Sequence, residues 1–335
     1  MQFSRRIILA AGLAGALSLT LTACSGGGDT TDASGSGRVT IAEPIHSIGY
    51  LPLYAAISTG AFSDAGIDVT VTTLTGGAHV NAVLNNSAWG FIGGPESGAI
   101  ANSKGADLVA IGGVVNRANI YWAASPSSGV HESDLAQSLR GKRIAVGRHG
   151  GSPEVLTFFE LRKLGLDPDK DVQIVNNDVS GSELSLVSAN QADVAVTTEP
   201  VLGQGIEQGI WGQPVLNVPQ SLGEYPYSAI VTSRANADKS PEFTRKFLAA
   251  LGKGIDLVRN DPEQAKAIAV KEFPSLTPEV IQNTLDRAYS DDLWTGLAIS
   301  TEAEALNLDV ARQSGLLVDD GKNTPESVLK LDYLP

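Results

Sequence analysis

Three glycine-bearing stretches hold the residues best placed to touch a bound molecule. The richest is Gly147-Arg148-His149-Gly150-Gly151-Ser152-Pro153-Glu154. Its glycines let the backbone approach a ligand closely. Ser152 suits a helix N-cap, and Pro153 suits the first helical position. The free N–H groups of such a helix start, together with its dipole, favour an anion or a carbonyl-like acceptor. Arg148 and His149 would add charge-assisted donors. The same residues also read as a well-capped helix with nothing bound. The stretch lacks the Gly-Lys-Ser/Thr ending of a nucleotide-phosphate loop. The second stretch, Ser47-Ile48-Gly49-Tyr50-Leu51-Pro52, offers Tyr50 and Pro52, and the third, Gly93-Gly94-Pro95-Glu96-Ser97-Gly98, offers Glu96 and Ser97. Glu199, beside Pro200, reads equally as a ligand contact and as a surface acid. Tyr50 reads equally as a ring contact and as core packing, whereas Tyr121 reads as core.

Each stretch follows a segment that reads as a β-strand. Val39–Ala42, Ile67–Val71, Gly90–Ile92, Leu108–Ile111 and Ile120–Ala123 carry strand patterns, with helical segments at Pro52–Ser58 and His79–Asn86. The fully apolar run Leu108–Ile111 suits a strand buried on both faces. The order then repeats, with strands at Lys142–Val146, Val172–Val175 and Val194–Val196 and helices at Pro153–Leu164 and Glu183–Ala189. Ala88–Ile92 corresponds to Ala192–Val196, and each is followed by an acid next to a proline. Alternation of this kind predicts an α/β fold of two similar lobes, each a mostly parallel sheet covered by helices. Tyr227–Thr232 reads as a strand leaving the second lobe. Four helical segments follow, at Pro241–Arg259, Pro262–Phe273, Pro278–Tyr289 and Thr301–Ser314, with Gly315 as the stop of the last. Their return to the first lobe gives two crossings, hence a hinge and a cleft. Ligands of open parallel sheets sit beyond the carboxyl ends of the strands, where the three stretches fall.

The N-terminus is organised differently. Arg5 and Arg6 precede an uncharged apolar run, Ile7–Leu21, too short for a confident membrane span. Ser4-Arg5-Arg6 also resembles a weak twin-arginine signal. Leu21-Thr22-Ala23-Cys24 resembles a bacterial lipobox, which implies cleavage before Cys24 and a lipid anchor on its sulfur outside the cytoplasm. Ser25–Gly37 has nothing to bury and reads as a flexible spacer. The expected organisation is a signal peptide at 1–23, a spacer at 24–37, a first lobe at 38–126 and 230–335, and a second lobe at 127–229.

Composition removes several function classes. A net charge of −13 argues against nucleic-acid binding, and loss of Arg5 and Arg6 with the signal makes the rest more negative still. Cys24 is the single cysteine, so acylation leaves no thiol for a disulfide or a nucleophile. The four histidines, His46, His79, His131 and His149, lack metal-ligand spacing, and no metal or other cofactor is expected.

Ile48–Ala56, Gly60-Ala61-Phe62 and Gly66–Val69 are similar to the opening of the solute-binding proteins of ABC importers, in the branch for nitrate, sulfonates, taurine and thiamine-pyrimidine precursors. Leu139–Val146, Gly151-Ser152, Leu164-Gly165-Leu166, Ala192–Ala195 and Thr198-Glu199-Pro200 continue the resemblance, which covers roughly Ile41 to Ile230. It implies the type II periplasmic-binding-protein fold and a monomeric, non-enzymatic receptor. Such a receptor closes on a small solute and delivers it to a membrane permease. Carried onto this chain, the pocket positions are Tyr50, Pro52, Glu96, Ser97, Gly151, Ser152 and Glu199, with Arg148 nearby. Thr198 and Trp89 depart from the pattern, which more often has an aromatic residue and an aspartate there. Two readings compete with a receptor. One is a surface lipoprotein with an interaction or signalling role. The other is an enzyme like the pyrimidine synthase of the same fold, whose cysteine-rich motif is missing here.

Overall fold

The computed structural model describes residues 37–335 apart from Asp178, Ser180 and Asp319. The expected signal peptide, Cys24 and the spacer up to residue 36 lie outside the described residues.

Ten strands form two five-stranded sheets. The first holds β1 (Arg38–Glu43), β2 (Asp68–Thr73), β3 (Gly90–Gly93) and β4 (Leu108–Arg117). The second holds β5 (Tyr121–Ala124), β6 (Arg143–Val146), β7 (Gln173–Asn176), β8 (Val194–Thr197) and β9 (Leu216–Asn217), and β10 (Glu224–Ser233) returns to the first. The orders are β2-β1-β3-β10-β4 and β7-β6-β8-β5-β9. In each sheet the first three strands are parallel, and a strand arriving from the other lobe inserts antiparallel in fourth place. The repeat seen in the sequence is thus a repeat of sheet order, with β3 and β8 in matching positions. This is the type II periplasmic-binding-protein arrangement.

One strand lies elsewhere than its pattern suggests. The segment read as a first-lobe strand at Ile120–Ala123 hydrogen-bonds into the second sheet, where Tyr121 pairs with Thr197 and Trp122 with Val196. All four residues of β5 are buried, and burial on both faces does not say which sheet does the burying. Similarly, β10 begins at Glu224, ahead of the expected Tyr227.

Both sheets carry core on each face. Ile41 and Ile92 join the cluster on one side of the first sheet, and their neighbours Ala42 and Phe91 join the cluster on the other. Val194 and Val196 divide from Ala195 in the same way in the second. This is the period-two alternation of strands. The helix Pro241–Asn260 seats against the helix Leu51–Ser58 at Gly254, where an added Cβ would lie 2.1 Å from the Pro52 carbonyl oxygen. The later helices start with side-chain caps, since Asp261, Thr277 and Ser300 each accept from a backbone N–H three residues on. Gly315, at φ 79°, ends the helix Thr301–Gln313.

That last helix is shared between the lobes. Leu308 and Ala311 pack with Ala99 of the first lobe, while Val310 joins the core of the second. The expected plain return of the C-terminal helices to the first lobe is therefore incomplete, because this helix has two apolar faces and buries one in each lobe. Among the described residues no helix is long and apolar enough to cross a membrane.

Candidate functional site

A cavity of about 160 Å³ lies beyond the carboxyl ends of the strands, lined from both lobes. The first lobe contributes Ser47, Tyr50, Thr75, His79 and Ser97. The second contributes Arg148, Gly151, Ser152, Glu183, Thr197 and Thr198, and β10 adds Tyr227 and Ser228. Of the positions singled out in the sequence, Tyr50, Ser97, Arg148, Gly151 and Ser152 line this cavity. Pro52, Glu96 and Glu199 do not.

The second-lobe loop is built around a residue that sequence reasoning passed over. Glu154, 2% exposed, accepts from the Gly150 N–H at 2.7 Å and from Asn176 Nδ2 at 2.7 Å. His149 Nδ1 lies 3.1 Å from its Oε1. The carboxylate folds the loop back on its own helix, and Gly150 supplies the left-handed turn at φ 74°. Gly151, not Ser152, is the N-cap of the helix Ser152–Lys163, and no side chain caps it. Ser152 occupies the first helical position, and this frees its hydroxyl. The hydroxyl crosses the cleft and donates to the Glu96 carboxylate.

Glu96 is in the first turn of the helix Pro95–Asn102 and is 2% exposed. Its other oxygen accepts from Asn307 Nδ2 at 3.0 Å. A side chain on Gly94 would approach the carboxylate to 2.2 Å and would displace it from this position. Burial pushes the Glu96 pKa up, against the hydrogen bonds from Ser152 and Asn307 and the charge of Arg148. Glu96 thus stands one hydrogen bond behind the cavity wall, holding the residue that lines it.

Glu199 faces away from the cavity. Its carboxylate pairs with Arg287 at 3.0 Å and accepts from Gly203 N at 3.0 Å and Thr284 Oγ1 at 3.2 Å. Its backbone carbonyl accepts from Ser47 Oγ of the first lobe at 3.2 Å. The sequence places Glu199 at a strand end but not the direction of its side chain. Pro52 is buried beneath the helix Pro241–Asn260, with a packing role.

Arg148 is half-buried, and a Cβ built on Gly77 of the first lobe would sit 3.8 Å from its guanidinium, so the cation lies across the cleft mouth. It makes no ion pair with a carboxylate among the described residues. His79, 3% exposed, has its imidazole pKa lowered to about 4, by burial first and then by Arg148, so it adds no positive charge at neutral pH. Tyr50 Oη accepts from Ser228 Oγ at 3.5 Å, and burial holds its phenol protonated. Glu183, 6% exposed, accepts from Thr197 Oγ1 at 2.8 Å. Glu183, His79 and Tyr227 were not singled out. His79 and Glu183 stand in the first turns of the helices that begin after β2 and β7, which are strand-end positions too.

A second cavity, about 360 Å³, lies beside the helix Pro278–Ser290 and is lined by Asn217, Gln220, Arg287 and Asp291 among others. Asp291 there already accepts from Tyr121 Oη at 2.8 Å, Asn217 Nδ2 at 3.0 Å and Gln220 Nε2 at 2.8 Å. Several of its polar groups are thus engaged with one another. Among the described residues no cluster of three or more His, Cys, Asp or Glu could hold a metal ion.

Comparison with known proteins agrees with this architecture. The solved alkanesulfonate-binding protein SsuA from Xanthomonas axonopodis pv. citri superposes with a TM-score of 0.71 at 18% identity, covering 89% of this chain and 98% of its own. The nitrate-binding protein NrtA from Synechocystis PCC 6803 gives 0.74 at 14% identity, covering 89% and 87%. At these identities the likeness is one of fold. In sequence, YtlA of Bacillus subtilis (strain 168) is 28% identical over 264 residues, spanning 76% of this chain and 78% of YtlA. The family profile described as NMT1/THI5 like matches residues 47–265, well over half the chain, and the protein therefore belongs to the NMT1/THI5-like family.

Proposed function

We propose that this protein is the extracytoplasmic solute receptor of an ABC importer, tethered by a lipid on Cys24. It captures a small polar organic solute between its lobes, without turning it over, and presents it as a monomer to a membrane permease. One observation carries the reading: a cavity at the carboxyl ends of both sheets, walled by each lobe and lined by several hydroxyls and by an arginine that has no carboxylate partner among the described residues. Receptors of the same fold named for alkanesulfonate and nitrate support it. Tyr50, Ser97, Arg148, Gly151 and Ser152 are the proposed solute contacts. Glu96 acts through Ser152, and Glu199 supports the lobe junction.

Heating the purified body with sulfonates, nitrate, amines and aminopyrimidines tests the reading. A ligand that binds only the folded state raises the melting temperature by mass action. Stabilisation by one chemical class supports a receptor. No stabilisation by any would favour a surface lipoprotein with an interaction role. Metabolic labelling with a fatty acid, in the wild type and in Cys24→Ser, tests the anchor; label retained in the variant would exclude it.

A further inference from the structure

We propose that Glu183 is a specificity-determining residue of the cleft, selecting solutes that carry an N–H donor group together with an acceptor for Arg148. The inference rests on the receptor reading and names the solute class of the same site.

Glu183 is the carboxyl on the cavity wall and has no cationic partner among the described residues. The other buried acids nearby are engaged elsewhere: Glu199 with Arg287, Glu154 with its own loop, and Glu96 with Ser152 and Asn307. The hydroxyl of Thr197 donates to one Glu183 oxygen, and the backbone N–H groups of Gly181 and Glu183 lie close to the carboxyl. These are neutral donors, and burial still holds the carboxyl above its ordinary titration range. Across the lining, Arg148 is a cation with no carboxylate partner among the described residues, and His79 stays neutral. A simple monoanion would satisfy Arg148 and be repelled by Glu183. A solute with a donor N–H at one end and an anionic or carbonyl acceptor at the other satisfies both, and a buried polar group rejects ligands that leave it unpaired.

The test uses matched pairs that differ only by an amino group: 2-aminoethanesulfonate against ethanesulfonate, and 4-aminopyrimidine against pyrimidine. Titration calorimetry on wild type and Glu183→Gln reads each affinity. The glutamine keeps an acceptor for Thr197 but removes the charge, so a merely structural role would leave the pair difference intact. Within at least one pair, the amino member should bind wild type about tenfold or more tighter, as expected for one charge-assisted hydrogen bond. Glu183→Gln should shrink that ratio to about threefold or less in a protein whose melting temperature is not lowered. Equal or tighter binding of the unaminated partners, or a ratio that survives Glu183→Gln, would overturn the proposal. Failure of all four compounds to bind would overturn it too. If nitrate or a plain sulfonate still stabilised the protein, the receptor reading would survive that failure.

Discussion

Two C-terminal helices join the lobes, and they do so with opposite chemistry. At the helix Pro278–Ser290 every polar group of the junction has an answer: Arg287 and Thr284 meet Glu199, and Asp291 takes three donors from the second lobe. At the helix Thr301–Gln313 the answers run short. Among the described residues, the fully buried Glu304 has no hydrogen-bond partner for either carboxyl oxygen, and Asn307 Oδ1 is likewise unmatched. The polar links across the cleft near it are the bond from Ser152 to Glu96 and, at the end of the helix, that from Arg162 Nη1 to the Gln313 carbonyl at 2.8 Å. Fully satisfied polar networks fix a geometry, whereas half-satisfied ones cost stability. The first junction is therefore the better satisfied of the two, and the lobes are expected to part first at the second.

The largest test of this contrast is Arg287→Ala. It strands the buried Glu199 carboxylate, and chemical denaturation should show a loss of about 3–5 kcal/mol. A loss under about 1 kcal/mol would put both junctions on an equal footing. Asp291→Ala orphans three donors and should cost about 1–3 kcal/mol by the same measurement.

Glu304→Gln should act in the opposite direction. Burial, and next the neighbouring Glu96, hold the Glu304 pKa well above its ordinary value. Between its unfolded and folded pKa values the native state binds the extra proton, so stability falls as pH rises through that window. The variant should melt higher than wild type at pH 7, by about 1.4 kcal/mol for each unit the folded pKa is raised, up to the working pH. The advantage should vanish below about pH 4, where the unfolded chain is protonated as well. A variant less stable than wild type at pH 7 would mean that Glu304 has a partner. Ser152→Ala should have the smallest effect on stability, about 1 kcal/mol, but should weaken solute binding, as titration calorimetry would show. Unchanged affinity would mean that the link to Glu96 plays no part in closure.

Much of this was legible in the sequence for definable reasons. Alternating strand and helix patterns gave two lobes, and the rule that ligands gather at strand carboxyl ends led to Tyr50, Ser97, Arg148, Gly151 and Ser152, all of which line the cavity. The same rule misplaced Glu199, because a strand end fixes where a residue is and not whether its side chain turns into the cleft or towards a neighbouring helix. Ser152 was found for the wrong reason. Its position suited a cap, but Gly151 takes that place and leaves the hydroxyl free to reach the other lobe. Glu183 and His79 stayed hidden because each looks like an ordinary residue of a short helix until folding turns it inward. The sheet membership of Tyr121–Ala124 depends on pairing with β8 and β9, long-range contacts that leave no local mark.

The exchanged strands carry a consequence for anyone dividing this protein. β10 sits between β3 and β4, and β5 sits between β8 and β9. A truncation that stops before Glu224 thus takes an internal strand out of the amino-terminal sheet, and a fragment that starts at Arg143 leaves the other sheet without its inserted one. No single cut yields two halves that each hold a complete sheet, and the ribosome must deliver the chain through Asn217 before the second sheet can close and through Ser233 before the first can.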